Sequence, residues 1–294
     1  MIVLNSLNIN NLLPGKTAVA LGSFDAIHKG HIKIIKSAIE YAKQNSLVSL
    51  VQLFDTSFFQ EPINTLQKRI KIIEEFGADF AVVESFDEAF RKMTYQDFVI
   101  DRIKDKYNAK AVFAGENYHF GHLAKGDSKL LSLECQKYGI KAEIIDCIEI
   151  DGIVSSTKIR DFLKNGQVEN AKKYMLRPFS LEGKVIHGNE IGRKIGFPTA
   201  NLSIPANILI PKDGVYLTRV ILPEGVFFGI TNIGGKPTIN EVDRCIETYI
   251  SDFCGELYDK SIEIEFLKRI RDIKKFDSLD ALKTQLEEDK RYLK

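Results

Sequence analysis

An excess of charge of either sign is missing from this 294-residue chain: 41 Lys and Arg stand against 40 Asp and Glu, for a formal net charge of +1. The charges are scattered along the sequence, which excludes the basic field of a nucleic-acid binder, so substrate charge has to be met locally. Cysteine is scarce too. Cys135, Cys147, Cys245 and Cys254 form no C-x-x-C pair and sit in apolar or helical surroundings. That fits small side chains kept as reduced thiols in a cytoplasm rather than a disulfide framework. No window reaches the roughly 20 apolar residues that cross a bilayer. The first residues, Met1-Ile-Val-Leu-Asn-Ser6, place no basic region ahead of a long apolar stretch, so neither a membrane span nor a signal peptide is expected. Low-complexity segments and fixed-period repeats are absent, and so is a Walker sequence, which excludes a P-loop kinase.

What is present is enough chain for two domains, organised around Gly22-Ser-Phe-Asp-Ala-Ile-His-Lys-Gly-His31. This stretch follows the apolar run Thr17 to Leu21 and opens a helix-patterned segment. A helix start offers unpaired N–H groups and a partial positive charge, so an anion docks there at little reorganisation cost. Gly30 lets the anion approach the backbone, and His28 and His31 would face phosphate oxygens, donating hydrogen bonds and, if protonated, offsetting charge in a transition state. The stretch therefore reads as a nucleotide phosphate site. Two other readings of His-x-x-His stay open: a chance pair on a helix, and half of a metal site. His119 and His122 repeat the spacing, but zinc usually wants a third ligand, often Cys, and none lies near either pair.

The rest of the chain falls into two characters. Ile32, Ile35, Ile39 and Ala42 predict an amphipathic helix up to Asn45, Leu47 to Phe54 a buried strand, Thr65 to Phe76 a helix stopped by Gly77, and Phe80 to Val83 a short strand. Thr94 to Asp97 has capping-box spacing ahead of Phe98, Ile103 and Tyr107. A strand over Ala109 to Ala114, a loop over Gly115 to Gly121, a helix over Ser128 to Tyr138 and a strand over Ile140 to Ile148 follow. Such alternation predicts a parallel sheet binding ligands beyond the strands' carboxyl ends. Ser155-Ser-Thr-Lys-Ile-Arg160 then opens a helix to Lys164; its hydroxyls could cap that helix, and with two cations beside them they read as a second phosphate grip. Gly166 separates this helix from Val168 to Met175, and Arg177-Pro178 marks the expected boundary, giving domains 1–178 and 179–294. Beyond it, Gly183 to His187, Gly214 to Leu222, Val226 to Thr231, Glu247 to Phe253 and Ser261 to Phe266 read as short strands of a small antiparallel barrel, with one helix over Leu279, Leu282 and Leu286 packed outside it.

Along nearly its whole length the chain resembles the bifunctional riboflavin kinase/FAD synthetases of bacteria. The front half does so through His28-Lys-Gly-His31, Gly115-Glu-Asn-Tyr-His-Phe-Gly121 and Ser155 to Arg160. The rear half does so through Gly192-Arg-Lys-Ile-Gly-Phe-Pro-Thr-Ala-Asn201, Gly214-Val-Tyr216, Asn232-Ile-Gly-Gly-Lys-Pro-Thr238 and Arg271-Asp-Ile-Lys-Lys-Phe276. H-x-G-H is shared by many nucleotidyltransferases and fixes only a reaction class; Phe-Pro-Thr-Ala-Asn is far more specific.

The resemblance implies a Rossmann-like nucleotidyltransferase domain with a parallel sheet and a riboflavin kinase β-barrel with a terminal helix. It implies two reactions, riboflavin and ATP to FMN, then FMN and ATP to FAD and pyrophosphate. Alternatives are one active module, or a flavin-binding regulatory protein without turnover. It assigns nucleotide contacts to Gly22, Ser23, Phe24, Asp25, Gly30, Asn117, Ser155, Ser156, Thr157 and Arg160 around catalytic His28 and His31. Asp25 could also cap the turn before the helix. In the kinase half it implies Gly188, Gly192, Gly196 and Asn232 at ATP, Thr199 and Asn201 as oxygen ligands of Mg2+, Glu247 as the base, and Arg271 and Phe276 at the flavin. Small molecules are the expected partners, with no nucleic acid or membrane. Some positions depart from the family pattern: Ser57 replaces a His after the second strand, which is expected to weaken the grip on ATP, Ser23 and Ala26 replace Asn and Gly, Leu176 a Gly, and Ile273 a Glu, where a looser helix dock or flavin site is expected.

Overall fold

The computed structural model describes residues 1–6, 9, 12–55, 58–188, 192, 196–237 and 242–293. The chain divides into two compact units, Met1–Ser156 and Thr157–Lys294.

The front unit is built on six strands: β1 (Ile2–Asn5), β2 (Thr17–Ala20), β3 (Val48–Phe54), β4 (Phe80–Glu84), β5 (Ala109–Gly115) and β6 (Lys141–Ile145). They form one parallel sheet in the order β1-β4-β3-β2-β5-β6. All of β2 is buried, as a central parallel strand covered on both faces must be. Its alternate residues feed two cores. Ala18 and Ala20 pack with Ile35, Ala38, Ile72 and Ile73 from α1 (Lys29–Gln44) and α2 (Leu66–Glu75). Val19 and Leu21 pack on the other face with Phe98, Ile103 and Leu131. These last come from α4, which starts at Tyr95–Asp97 and continues as π turns over Phe98–Lys106, and from α5 (Ser128–Lys137).

Thr94 caps the helix at the expected place: the Asp97 N–H donates to Thr94 Oγ1 at 3.1 Å, and the Thr94 hydroxyl donates to Asp97 Oδ2 at 2.7 Å. Two elements go beyond the sequence reading. Strand β1 is a mostly exposed edge whose apolar residues carry no alternation, and the short α3 (Glu88–Lys92) lays only Phe90, half-buried, against the core. Strand β6 ends at Ile145 rather than Ile148. Because β2 and β5 are neighbours in space but not in sequence, the loops that follow them, 21–28 and 116–127, border the crevice at the sheet's switch point.

The rear unit begins with α6 (Ser156–Lys164) and α7 (Val168–Tyr174). Contacts of α7 with the last barrel strand hold it in this unit. The barrel comprises β7 (Ser180–Ile186), β8 (Thr199–Ser203), β9 (Gly214–Leu222), β10 (Gly225–Pro237), β11 (Val242–Ile250) and β12 (Ser261–Arg271). It closes in the order β10-β11-β8-β7-β12-β9, all pairs antiparallel. Closure leaves no edge strand unpaired. α8 (Leu279–Asp289) and a 3-10 turn over Lys290–Leu293 follow.

Five barrel strands are expected from the sequence and six form. The sixth, β8, lies inside the Phe-Pro-Thr-Ala-Asn motif, and its polar residues hide the strand period. The register also moves: β11 starts at Val242, ahead of Glu247. Inside the barrel Thr218, Thr231 and Thr248 are fully buried and satisfy one another, with hydroxyl separations of 2.8 and 2.9 Å. Their neighbours on β11, Cys245, Glu247 and Tyr249, face outward by the period of the strand and are half-buried.

Candidate active sites

In the front unit the loop after β2 turns through two strained residues, Phe24 at φ 47° and Ile27 at φ 44°, before His28 caps α1. The His31 N–H donates to His28 Nδ1 at 3.2 Å. With Nδ1 accepting, the neutral ring carries its proton on Nε2, free to donate to a ligand. The His28 and His31 rings stack with centroids 3.5 Å apart, and the buried Phe24 meets His31 edge-on at 5.1 Å. A Cβ at Gly30 would sit 3.2 Å from the His28 ring, so this glycine makes room for the imidazole to lie against the helix start. Burial pushes His28 down to about 4 and His31 well below the usual imidazole value, with the neighbouring ring adding to the effect on His31. Both imidazoles are neutral near pH 7. Among the described residues the buried Nδ1 of His31 has no hydrogen-bond partner, a polar atom that a ligand could satisfy.

Asp25, 1 % exposed, is turned into the protein. Its Oδ1 accepts from the Ile63 N–H at 2.8 Å and the Asn64 N–H at 3.4 Å, while Asn64 Nδ2 donates to the Asp25 carbonyl at 2.6 Å. Arg69, fully buried on α2, reaches the Ser23 carbonyl with Nη1 at 3.5 Å and lies 4.9 Å from the Phe59 ring centroid. Burial lowers its pKa to about 10, against the pull of Asp25 and Asp55 in the other direction. Asn64 and Arg69 thus tie the strained 22–27 loop to the segment after β3. No sequence motif marks them; their partners lie 39 and 46 residues away. Ala26 is buried within the same loop, and Ser57 lies outside the described residues.

At the end of β5 the exposed Asn117 folds its Oδ1 back toward Gly115, close to Ile34 of α1. His122 uses Nδ1 on the Arg91 carbonyl at 2.8 Å, and the exposed His119 stands apart from it. Among the described residues no three His, Cys, Asp or Glu side chains gather as a metal site. Ser155 precedes α6, Ser156 opens it, and Thr157 and Arg160 lie in its first turns.

In the rear unit Glu247 pairs with Asn201 of β8 on one side and with Asn232 of β10 on the other. Directly opposed residues point to one face, so the row Asn232, Glu247, Asn201 lines the outside of the barrel. Thr199 is two residues from Asn201 and shares that face. A Cβ at Gly188 would collide with the Asn201 amide, so only glycine lets Asn201 pack there, 7 % exposed. The Phe197 N–H donates to the Gly192 carbonyl at 2.8 Å, and Gly196 has φ 85°. Residues 193–195 and Thr238, within the recognised motifs, lie outside the described residues. The hydroxyl of Thr199 and the amide of Asn201 supply hard oxygens on adjacent outward positions, a donor set that fits Mg2+.

Arg271 is committed to the terminal helix. Its Nε donates to Asp289 Oδ1 at 2.9 Å and its Nη2 to Oδ2 at 2.6 Å, with Asp289 only 2 % exposed. This pair borders a cavity of about 400 Å3, lined also by Ile270, Gln285, Arg291 and Tyr292. Phe276 is half-buried between β12 and α8, and Ile273 lies over Gly234 of β10. Leu176 is exposed.

Comparison with known proteins agrees with both halves. Residues 11–158 match the FAD synthetase family model and residues 175–294 the riboflavin kinase model. Proteins described as bifunctional riboflavin kinase/FMN adenylyltransferase include one from Buchnera aphidicola, 33 % identical over 96 % of this chain and 95 % of its own length. Another, from Bacillus subtilis, is 34 % identical over 94 % of this chain and 90 % of its own. A Streptococcus pneumoniae crystal structure described as a macrolide-efflux protein matches with a TM-score of 0.91 at 30 % identity, covering 100 % of this chain and 99 % of that one. Among the described residues no helix is long and apolar enough to cross a membrane. With both family models matched in order and near full-length relatives above 30 % identity, the chain belongs to the bifunctional riboflavin kinase/FMN adenylyltransferase family.

Proposed function

We propose that this chain phosphorylates riboflavin with ATP to FMN in its rear domain, residues 179–294, and joins FMN to AMP from a second ATP in its front domain, residues 1–178, giving FAD and pyrophosphate. The observation that carries the proposal is the row Asn232, Glu247, Asn201, which sets one carboxylate between two amides on the outer face of the barrel.

In the kinase step Glu247 accepts the proton of the riboflavin 5′-hydroxyl as that oxygen attacks the γ-phosphate of ATP, and ADP leaves. Thr199 and Asn201 would hold Mg2+ through their side-chain oxygens, and that ion would supply positive charge against the ATP phosphates. Gly188, Gly192, Gly196 and Asn232 border the nucleotide, and Arg271 with Phe276 borders the flavin. Since Arg271 is held by Asp289, it acts by fixing the terminal helix against the site as well as by its charge.

In the adenylyl transfer an FMN phosphate oxygen attacks the α-phosphate of ATP and pyrophosphate leaves, so no protein nucleophile is required. His28 and His31 meet the phosphates as neutral hydrogen-bond donors, and the arriving negative charge raises their affinity for protons as charge develops. Gly22, Ser23, Phe24, Asp25 and Gly30 shape the loop that presents them, with Asp25 acting through its bonds to 63–64. Asn117, Ser155, Ser156, Thr157 and Arg160 contribute further phosphate contacts. The enzyme works in the cytoplasm on small molecules, in keeping with its free cysteines.

The test is incubation of the purified chain with riboflavin and MgATP, followed by chromatography. FMN should appear first and FAD after it; absence of both products overturns the proposal.

A further inference from the structure

Cys245 stands between the two side chains that the kinase reading needs most. Its Sγ lies 3.3 Å from Glu247 Oε1 and 3.4 Å from Asn201 Oδ1. We propose that Cys245, Glu247 and Asn201 form a binding site for a thiophilic divalent cation such as Zn2+ or Cd2+, which shuts off the kinase centre by taking the base Glu247 and one of the two ligands assigned to Mg2+, Asn201. The inference rests on the kinase reading for its consequence, not for the binding itself.

The spacing of the donors is the first argument. Around a tetrahedral ion with a metal–sulfur bond of about 2.3 Å and metal–oxygen bonds of about 2.0–2.2 Å, sulfur and oxygen ligands lie about 3.5 Å apart. The two separations at Cys245 already have that length. The donors sit on adjacent strands of a closed barrel, Cys245 and Glu247 on β11 and Asn201 on β8, so little conformational freedom remains to be lost on binding.

Orientation is the second. The Asn201 amide lies beside Gly188 with its oxygen turned to Cys245. Across β10 the residue opposite Cys245 is Gly234, and the apolar Ile273 that covers it brings no competing donor.

Chemistry sets the selectivity. Oxygen donors alone suit Mg2+, whereas one thiolate turns the preference toward Zn2+ and its heavier congener. On binding, the Cys245 thiol gives its proton to solvent and the sulfur lone pair forms the new bond, so affinity rises with pH.

The experiment titrates Cd2+ into the reduced full-length protein without nucleotide and follows the thiolate-to-metal charge-transfer absorption. The parent should show a saturable band at one equivalent. Cys245→Ser should weaken that binding at least about tenfold, a loss at the low end for disturbing a metal site, while Cys254→Ser, at an exposed thiol, should keep it. Asn201→Ala leaves every thiol in place and should weaken the band as well; it decides the matter if Cys245→Ser loses its far-ultraviolet circular dichroism. In parallel, Zn2+ should inhibit FMN formation in the parent, with the half-inhibiting concentration raised at least about tenfold in Cys245→Ser when each protein is scaled to its own zinc-free rate. No band in the parent, or parent-like cadmium affinity in both variants, overturns the proposal. Failure to form FMN with MgATP and no zinc counts against the kinase reading instead, and the cadmium result still stands or falls by itself.

Discussion

Glu247 and Asn201 face each other directly across β11 and β8, which puts a carboxylate and an amide side by side on the outer wall of the barrel. If Glu247 takes the proton from riboflavin, Glu247→Gln keeps the shape and removes the base. FMN formation should fall by about 10²- to 10⁴-fold, the usual worth of a positioned base, while FAD formation from added FMN stays at the parent rate. Chromatographic assays of the two steps check this, and near-normal kinase turnover would show that the base lies elsewhere.

Asn64 is a buried positioning residue for the front site, through its amide bond to the Asp25 carbonyl. Asn64→Ala leaves that acceptor unpaired, at a cost of about 1–3 kcal/mol, and loosens the loop that carries His28. The expected result is slower FAD formation from added FMN, with a lower unfolding midpoint in urea and an unchanged rate of FMN formation. Equal loss of both activities would point to general unfolding.

The histidine pair makes stability depend on pH. His28 titrates near 6.5 when exposed but is held at about 4 in the fold. Between these values the unfolded chain binds a proton that the native one refuses. Stability is therefore intact above 6.5, falls by about 1.4 kcal/mol per pH unit below it, and its His28 share is gone at about 4. His31, depressed by the same burial, adds in the same direction. Urea melts of the nucleotide-free protein at about pH 7.5 and about pH 5 should show the difference, and His28→Gln should reduce it. A pH-independent parent would contradict the neutral, buried state of these rings.

Arg271 and Asp289 form a two-pronged ion pair at the terminal helix, with side chains 15 % and 2 % exposed. Removing one member strands the other, at a cost of about 3 kcal/mol. Asp289→Ala should lower the melting temperature of the kinase transition and slow FMN formation, leaving FAD formation from FMN intact; retention of full kinase rate and melting temperature would remove Arg271 from this docking role.

The central strands and the helices over them were legible because burial on two faces writes continuous apolar runs and helical spacing into the sequence. Strand β1 was not, since an exposed edge imposes no pattern, nor was β8, whose polar residues serve the site rather than the core. His28, His31 and Asn201 stand in recognisable motifs, and Glu247 is singled out by the family resemblance alone. Asn64, Arg69 and Cys245 stand in none. Their importance comes from contacts 39, 46 and 44 residues apart in the chain, which only the folded sheet and barrel bring together.

The central claim is that two independent catalytic sites share one polypeptide, and complementation tests it most directly. Glu247→Gln and His31→Ala, each alone with riboflavin and MgATP, should yield almost no FAD. Mixed in one tube they should restore it, because FMN made by the His31→Ala protein is adenylylated by the Glu247→Gln protein. A mixture as inactive as its parts, or either variant making FAD at the parent rate by itself, would contradict the account.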